Sequence, residues 1–245
     1  MFLTGTLLNV VTVVLGTSVG LIAGARVSRR MQESLTTGLG FFVLIVAASM
    51  ALRIFTDPAV RPGDELAVLA ALLLGVAMGE LLRLHDGLEA LGAWFERRLT
   101  RGESSGSRIA EGFVTASLVF CVGPLTILGS LENGLRGDIT LLATKSLLDG
   151  VASVAFAAAL GAGVYLSVIT VLIVQGGIAA AAFLLRDVMD APTVLAITAT
   201  GGLILLGIAL RLLELRAVRV ANFLPALLLA PLLVRVADAI RGWLG

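Results

Sequence analysis

Charged residues are scarce in this chain. Asp, Glu, Lys and Arg make up 14% of its 245 residues, whereas a soluble domain carries about 25%. Aromatic residues account for only 5%, while hydrophobic residues reach 58% and the mean hydropathy is +1.03. This composition excludes an ordinary soluble domain and predicts an integral membrane protein.

Cysteine and histidine each occur once, as Cys121 and His85. A single cysteine cannot form an intrachain disulfide, and the two residues together cannot supply the ligands of a zinc site. We therefore expect no metal and no cofactor, and we interpret Cys121 as a small buried hydrophobic residue. The net charge of +1 gives no reason to expect a nucleic-acid partner.

The chain contains many apolar runs that are long enough to cross a bilayer, which takes about 17–25 residues. They are continuous rather than alternating, which argues against a β-barrel, and the 28 glycines suit close helix packing. We predict an all-α integral membrane protein with about eight transmembrane helices. Their ranges are 5–25, 36–55, 66–84, 110–130, 139–160, 164–185, 193–213 and 221–240.

The fourth of these segments contains Gly123-Pro124, which predicts a kink. The region 110–138 is open to two interpretations, a full span or a re-entrant segment. The N-terminal run lacks the basic stretch of a signal peptide and is interpreted as a retained span.

Arginine positions predict the orientation. With the N-terminus outside, eleven arginines fall in the loops on the cytoplasmic side and six on the opposite side, so both termini are expected to be extracytoplasmic. We treat 1–245 as a single transmembrane domain with four parts. These are the first three helices (1–84), an amphipathic cytoplasmic loop and linker (85–108), a central polar helix pair (109–160) and the last three helices (164–240).

The loop 85–108 predicts a surface helix. Leucines and Phe95 recur there at helical spacing, and Trp94 is a plausible anchor at the membrane interface.

An internal repeat is suggested by two sequence pairs: 37–54 with 198–215, and 11–20 with 169–178. The shift of five spans gives the copies opposite topology, so two inverted three-helix repeats would flank the central pair. Two alternatives stay open. Any two apolar helices look alike, and "TLLN" (6–9) with "TLLA" (140–143) implies a shift of four spans and parallel copies.

The only lysine, Lys145, precedes Asp149 by four residues within an apolar run. Positions i and i+4 share a helix face, so the two side chains can neutralise each other. A charge at the bilayer centre costs about 2.5–3.5 kcal/mol on insertion scales. The pair is therefore either a structural link between helices or part of a substrate or ion site.

Other polar positions complete the candidate substrate or ion site. Ser146 and Ser153 border the face of Lys145, and "GSLENGLRGD" (129–138) is either an exposed turn or a cavity-lining segment. The amides of the first, sixth and eighth spans are expected either to link helices or to bind ligand. The full set is Lys145, Asp149, Ser146, Glu132, Asn133, Ser153, Asn9, Gln175 and Asn222.

Several motifs together resemble a known family. "GTLLN", "EGFVTASLVFCVG", "GSLENGLRGD", "TKSLLDG", "VLIVQGG" and "NFLPALLLAPL" occur in the order found in the domain of unknown function 554 family of prokaryotic polytopic membrane proteins. The resemblance covers nearly the whole chain, and Glu132, Lys145, Ser146 and Asp149 match the pattern. It implies a bacterial inner-membrane protein with a transport role. Members often carry Asp where this chain has Asn133, so the resemblance supports no acid there.

The leading functional hypothesis is a secondary transporter or channel for a small solute or ion. A non-transporting scaffold or sensor is the alternative, and an intramembrane enzyme is less favoured because Lys145 and Ser146 point about 100° apart on a helix. The GxxxG pairs Gly16/Gly20 and Gly75/Gly79 fit either packing within the chain or a homodimer.

Overall fold

The computed structural model describes residues 3–25, 28–87, 90, 106–121, 124–185 and 189–244, and helix is the only regular structure in these ranges. Its elements follow in chain order. They are α1 (Thr4–Gly24), α2 (Arg29–Thr56), α3 (Asp64–Leu81), α4 (Gly106–Cys121), α5 (Pro124–Arg136), α6 (Thr140–Leu160), a 3₁₀ turn (Gly161–Leu166), α7 (Ser167–Ala180), α8 (Ala182–Leu185), α9 (Ala191–Leu212), a second 3₁₀ turn (Val220–Phe223) and α10 (Pro225–Leu244).

By length and apolar composition, five helical stretches in the described ranges could each cross a membrane, or six if the bent pair α4–α5 forms one span. The eight predicted spans are therefore not confirmed. Two features account for the lower count. Helix α3 has only 18 residues and carries Asp64, Glu65 and Glu80, and Thr140–Ala180 is one continuous helical stretch of 41 residues.

The 41-residue stretch folds back on itself at its 3₁₀ turn. Leu142, near its start, packs against Gly5 of α1, and Gly176, near its end, packs against Leu3 and Thr6 of the same helix. A straight helix would hold Leu142 and Gly176 about 50 Å apart. Helices α6 and α7 therefore run in opposite directions between the two ends of α1.

The chain divides into two compact units. Unit 1 comprises Met1–Leu39 and Leu88–Arg186, and unit 2 comprises Gly40–Gly87 and Asp187–Gly245. Helix α2 is divided between the units, with residues 29–39 in unit 1 and residues 40–56 in unit 2.

In unit 1, α1 and α6 pack as parallel neighbours through small residues. A Cβ atom on Gly16 would overlap the Ser153 hydroxyl and the Gly150 carbonyl, and one on Gly20 would overlap the Val154 carbonyl. Only glycine permits such an approach of two helix backbones. Helix α7 packs against α1, α4 packs against α6, and α5 contacts both members of the pair.

Unit 2 contains two antiparallel helix pairs. Gly40 of α2 meets Leu212 and Leu213, whereas Gly202 of α9 meets α2 near Ala51. In the other pair, Gly75 and Gly79 of α3 lie against the backbone of α10 and the turn before it. Both GxxxG pairs of the sequence are thus used in packing within the chain.

The core of unit 2 is aliphatic, and its ion pairs lie at the helix ends. The core residues are Ile54, Ala67, Val68, Ala71, Ala196, Ala199, Ala230 and Val234. At the start of α3, the buried carboxylate of Asp64 binds Arg241 at 2.9 Å. Asp238 binds Arg61 at 2.6 Å and also contacts Arg241.

Two predictions concern segments that the described residues cover only in part. Helices α4 and α5 are bent by 60°, which agrees with a kink near Pro124, although Gly123 itself lies outside the described residues. The predicted surface helix with Trp94 and the linker after it also fall largely outside them.

Candidate functional site

The Lys145–Asp149 pair lies in the interior of unit 1. Helix α6 places both side chains on one face, and the exposed fractions of the two residues are 4% and 6%. The Lys145 Nζ donates to Asp149 Oδ2. Asn9 of α1 donates its Nδ2 to the same oxygen at 2.8 Å. The parallel packing of α1 and α6 therefore completes a buried Lys–Asp–Asn cluster.

Aromatic residues border the ammonium group. Its Nζ lies 6.0 Å from the ring centroid of Phe120, a distance at which a cation and an aromatic face attract each other. Phe156 packs edge-on against Phe120, with ring centroids 6.1 Å apart. The free Cys121 beside Phe120 is buried, as its interpretation from the sequence required.

A second group of buried polar side chains in unit 1 has atoms without any hydrogen-bond partner within the described part of the chain. Each residue is fully buried, with an exposed fraction of 0%. The atoms are Thr6 Oγ1, Asn9 Oδ1, Thr17 Oγ1, Ser130 Oγ, Asn133 Nδ2, and both Nε2 and Oε1 of Gln175. A buried polar group without a partner lowers stability by about 1–3 kcal/mol. Several such groups in one unit would therefore substantially destabilise a core with a purely structural role.

Five of these residues lie on α1, α5 and α7, which meet near the start of α1. Asn133 Oδ1 of α5 accepts the backbone N–H of Gly5 at 3.2 Å, next to Thr6. A Cβ atom on Gly176 of α7 would lie 4.0 Å from the Thr6 methyl group, and Gln175 precedes Gly176. We call the set Thr6, Asn9, Ser130, Asn133 and Gln175 the amide cluster.

Packing between α5 and α7 brings the remaining members together. Gly134 lies against Ala179. Because residues four apart share a helix face, Ser130 on α5 and Gln175 on α7 sit one turn back from this contact on the same faces. Ser130 and Gln175 are both fully buried, on the faces by which α5 and α7 pack.

The two serines of α6 have other partners. Ser146 donates to the Leu142 carbonyl at 2.6 Å, and Ser153 donates to the Gly150 carbonyl at 2.8 Å. Each hydroxyl thus bonds to its own helix, a common arrangement for serine in membrane helices. Both are buried beside the Lys–Asp pair, but neither hydroxyl is hydrogen-bonded to Lys145.

Glu132 lies apart from the amide cluster although it is next to Asn133 in sequence. It pairs with Arg136 at 3.3 Å, and its side chain is 37% exposed. The same connection contains Asp138, which accepts the Thr140 backbone N–H at 2.8 Å and the Thr140 hydroxyl at 2.7 Å. These two hydrogen bonds hold the pKa of Asp138 below its ordinary value of 3.8.

Asn222 belongs to unit 2. It accepts the backbone N–H of His85 at 2.8 Å, and Gly79 packs against its carbonyl group. Its amide therefore joins the end of α3 to the turn before α10.

Sequence reasoning missed Thr6 and Ser130. The available signal was their spacing, because Thr6 precedes Asn9 and Ser130 precedes Asn133 by three residues, which places each on the face of an already selected amide. In the described ranges, no group of three His, Cys, Asp or Glu side chains could hold a metal ion.

Comparison with known proteins gives a family and two relatives of similar length. The chain is 28% identical over 235 residues to the uncharacterized membrane protein YdfK of Bacillus subtilis (strain 168), covering 96% of this chain and 97% of the relative. It is 30% identical over 228 residues to the uncharacterized protein YqgA of Escherichia coli (strain K12), covering 92% and 94%.

No solved structure matches this chain. The family model described as "Protein of unknown function (DUF554)" matches residues 4–235, nearly the whole chain. The chain is therefore a member of the DUF554 family of membrane proteins.

Proposed function

We propose that this protein moves a small solute or ion across the membrane, with the Lys–Asp–Asn cluster and the amide cluster of unit 1 as the site of passage. The observation that carries the proposal is the number of buried donors and acceptors without partners in that unit. A ligand that supplied those hydrogen bonds would offset their desolvation cost.

A purely structural ion pair is the competing explanation. Lys145 and Asp149 bind each other directly, and a buried pair of this kind can simply hold helices together. That explanation accounts for the pair but leaves the amide cluster unexplained, since structural polar groups in native interiors are normally saturated.

Removing the pair as a whole separates the two explanations. Lys145→Met or Asp149→Leu alone leaves one buried charge, which destabilises a protein by about 3–5 kcal/mol. The double variant removes both charges, and replacing a buried pair by apolar residues is often neutral. We expect the double variant to melt near the wild-type temperature in detergent but to lose flux in proteoliposomes.

Flux would be measured with defined probes: glycerol, urea and glycine by light scattering, and Na⁺, K⁺, Cl⁻ and phosphate by ion-selective methods. The matched control is the double variant Arg53→Met with Asp57→Leu, which removes an i, i+4 pair whose side chains are 47% and 20% exposed. Wild-type flux through the Lys145/Asp149 double variant would reduce the pair to a structural link. Absence of protein-dependent flux for every probe would refute the transport proposal.

The proposal assigns no catalytic step. The hydroxyls of Ser146 and Ser153 donate to carbonyls of their own helix, so neither is paired with Lys145 as a serine nucleophile would be with its base. Labelling of either serine by an activity-based probe would overturn this part.

We also propose that eight segments span a bacterial inner membrane with both termini outside. The fold-back of Thr140–Ala180 supports two spans there, and the arginine distribution supports the orientation. The inverted repeat is supported by the reciprocal contacts of Gly40 and Gly202 in the α2–α9 pair. A reporter active only in the cytoplasm, fused after Leu244, should remain inactive, and activity there would contradict the orientation.

A further inference from the structure

We propose that the solute is uncharged: a small molecule rich in hydroxyl or amide groups, of the chemical class of glycerol and urea. This inference rests on the proposed transport function and names the class of substrate for the same site. It follows from which buried groups of unit 1 already have partners and which do not.

The charges of the site are already balanced. Lys145 and Asp149 are the only charged side chains among the buried residues described in unit 1. They are bonded to each other, and Asp149 receives a further hydrogen bond from Asn9. An incoming cation would have to compete with the ammonium group for Asp149, and an incoming anion would have to compete with Asp149 for the ammonium group. The described residues of unit 1 offer no additional buried charge to neutralise either ion.

The groups left without partners are neutral, and they include both donors and acceptors. Asn133 Nδ2 and Gln175 Nε2 are donors, Asn9 Oδ1 and Gln175 Oε1 are acceptors, and the hydroxyls of Thr6 and Ser130 can act as either. A dehydrated cation would use only the acceptors, and an anion only the donors. A hydroxyl or amide group both donates and accepts, so an uncharged polar molecule can satisfy the whole set.

These groups belong to helices that meet near the start of α1, so one ligand could bind several of them. Asn133 is fixed to Gly5 of α1, and Gly176, next to Gln175, packs against Thr6. The amide cluster therefore lies around the start of α1, with the neutral Lys–Asp–Asn cluster as its neighbour through Asn9.

The test uses the purified full-length chain in proteoliposomes. Osmotic swelling driven by glycerol and by urea is compared with glycine flux and with K⁺, Cl⁻ and phosphate flux in the same preparation. We expect protein-dependent swelling with glycerol or urea, without protein-dependent movement of the ions or of zwitterionic glycine.

Two variants tie the flux to the amide cluster. Gln175→Leu removes one donor and one acceptor, and we expect it to lower swelling rates by about tenfold, the factor that corresponds to losing a good hydrogen bond. If that variant does not give a monodisperse protein, Thr6→Val combined with Ser130→Ala serves instead. Ser167→Ala is the matched control, because this buried hydroxyl in the same unit donates to the Val164 carbonyl.

The outcomes separate this inference from the transport proposal. Flux of ions or glycine without flux of glycerol or urea would overturn the uncharged class while leaving transport intact. Flux of glycerol or urea that is unchanged in the amide-cluster variants would overturn the assignment of these residues. Absence of all protein-dependent flux would overturn both proposals.

Discussion

Unit 1 and unit 2 pack their helices in the same way but treat buried polar groups differently. Both units bring helix backbones together at glycines. In unit 2 the core is aliphatic and the buried acid, Asp64, sits at a helix end with arginine partners. In unit 1 the acid, Asp149, lies within the bundle and is bonded to Lys145 and to the amide of Asn9.

The two units differ in the type of buried, unpartnered polar group as well as in the number of such groups. In unit 2 the described side chains with unpartnered atoms are Thr193, Thr200 and Arg61, and one nitrogen of Arg61 lies 2.6 Å from Asp238. Carboxamides with a buried, unpartnered atom occur only in unit 1 among the described residues. Threonine hydroxyls are easily buried in helices, whereas an amide has more hydrogen-bonding capacity to satisfy. This difference is the reason for proposing ligand contact in unit 1 and scaffolding in unit 2.

The largest expected effect tests the structural role of the acid in unit 2. Asp64→Ala removes one of the two carboxylate partners of Arg241 and the acceptor for the Arg61 backbone N–H. We expect a loss of about 2 kcal/mol in unfolding free energy, the value of charge-assisted hydrogen bonds, measured as thermal stability in detergent, with flux per folded protein unchanged.

Asp57→Ala is the control for this substitution, because it breaks an exposed pair with Arg53 and should cost less than about 1 kcal/mol. If Asp64→Ala abolished flux in protein that remained folded, the division of roles between the units would be wrong.

An intermediate effect of the opposite sign is expected in unit 1. Gln175→Leu removes two buried unpartnered atoms, so it should stabilise the protein by about 1–2 kcal/mol. Thr200→Val in unit 2 removes one such atom and should stabilise it less. The measurement is the melting temperature of each variant in the same detergent. Destabilisation by Gln175→Leu would show that its amide is saturated in the native protein.

The smallest effect concerns the exposed side of unit 1. The hydrogen bonds from Thr140 depress the pKa of Asp138 in the folded protein. The stability they provide is therefore present above the ordinary pKa of 3.8 and is lost as the pH falls through the lowered value. We expect the melting temperature of Asp138→Asn to fall less steeply than that of wild type below this pH.

Parallel melting curves for the two proteins would contradict the pKa assignment. A steeper curve for wild type would show that Asp138, at the exterior of unit 1, is hydrogen-bonded in solution, in contrast to the unpartnered groups of the interior.

Sequence alone predicted the local features of the site well. The i, i+4 spacing of Lys145 and Asp149 was sufficient to predict their pairing, and predicted spans 5–25 and 193–213 are close to α1 and α9. What it could not provide was long-range contact. Asn9 and Asp149 are separated by 140 residues, and no pattern indicated that α1 and α6 are neighbours. The span predicted at α3 stays unconfirmed, because Asp64, Glu65 and Glu80 lie at the two ends of an 18-residue helix whose middle is apolar.

The parallel contact between α1 and α6 has a consequence for biosynthesis. Helix α1 leaves the ribosome first, yet its partner follows more than one hundred residues later. At cellular elongation rates this interval is on the order of ten seconds. During this interval the α1 face that carries Gly16, Gly20 and Asn9 meets lipid or the insertion machinery instead of α6. Unit 1 can therefore complete its folding only after α6 has been synthesised. A ribosome that stalled earlier would leave a buried amide exposed to lipid, a feature that quality-control factors can recognise.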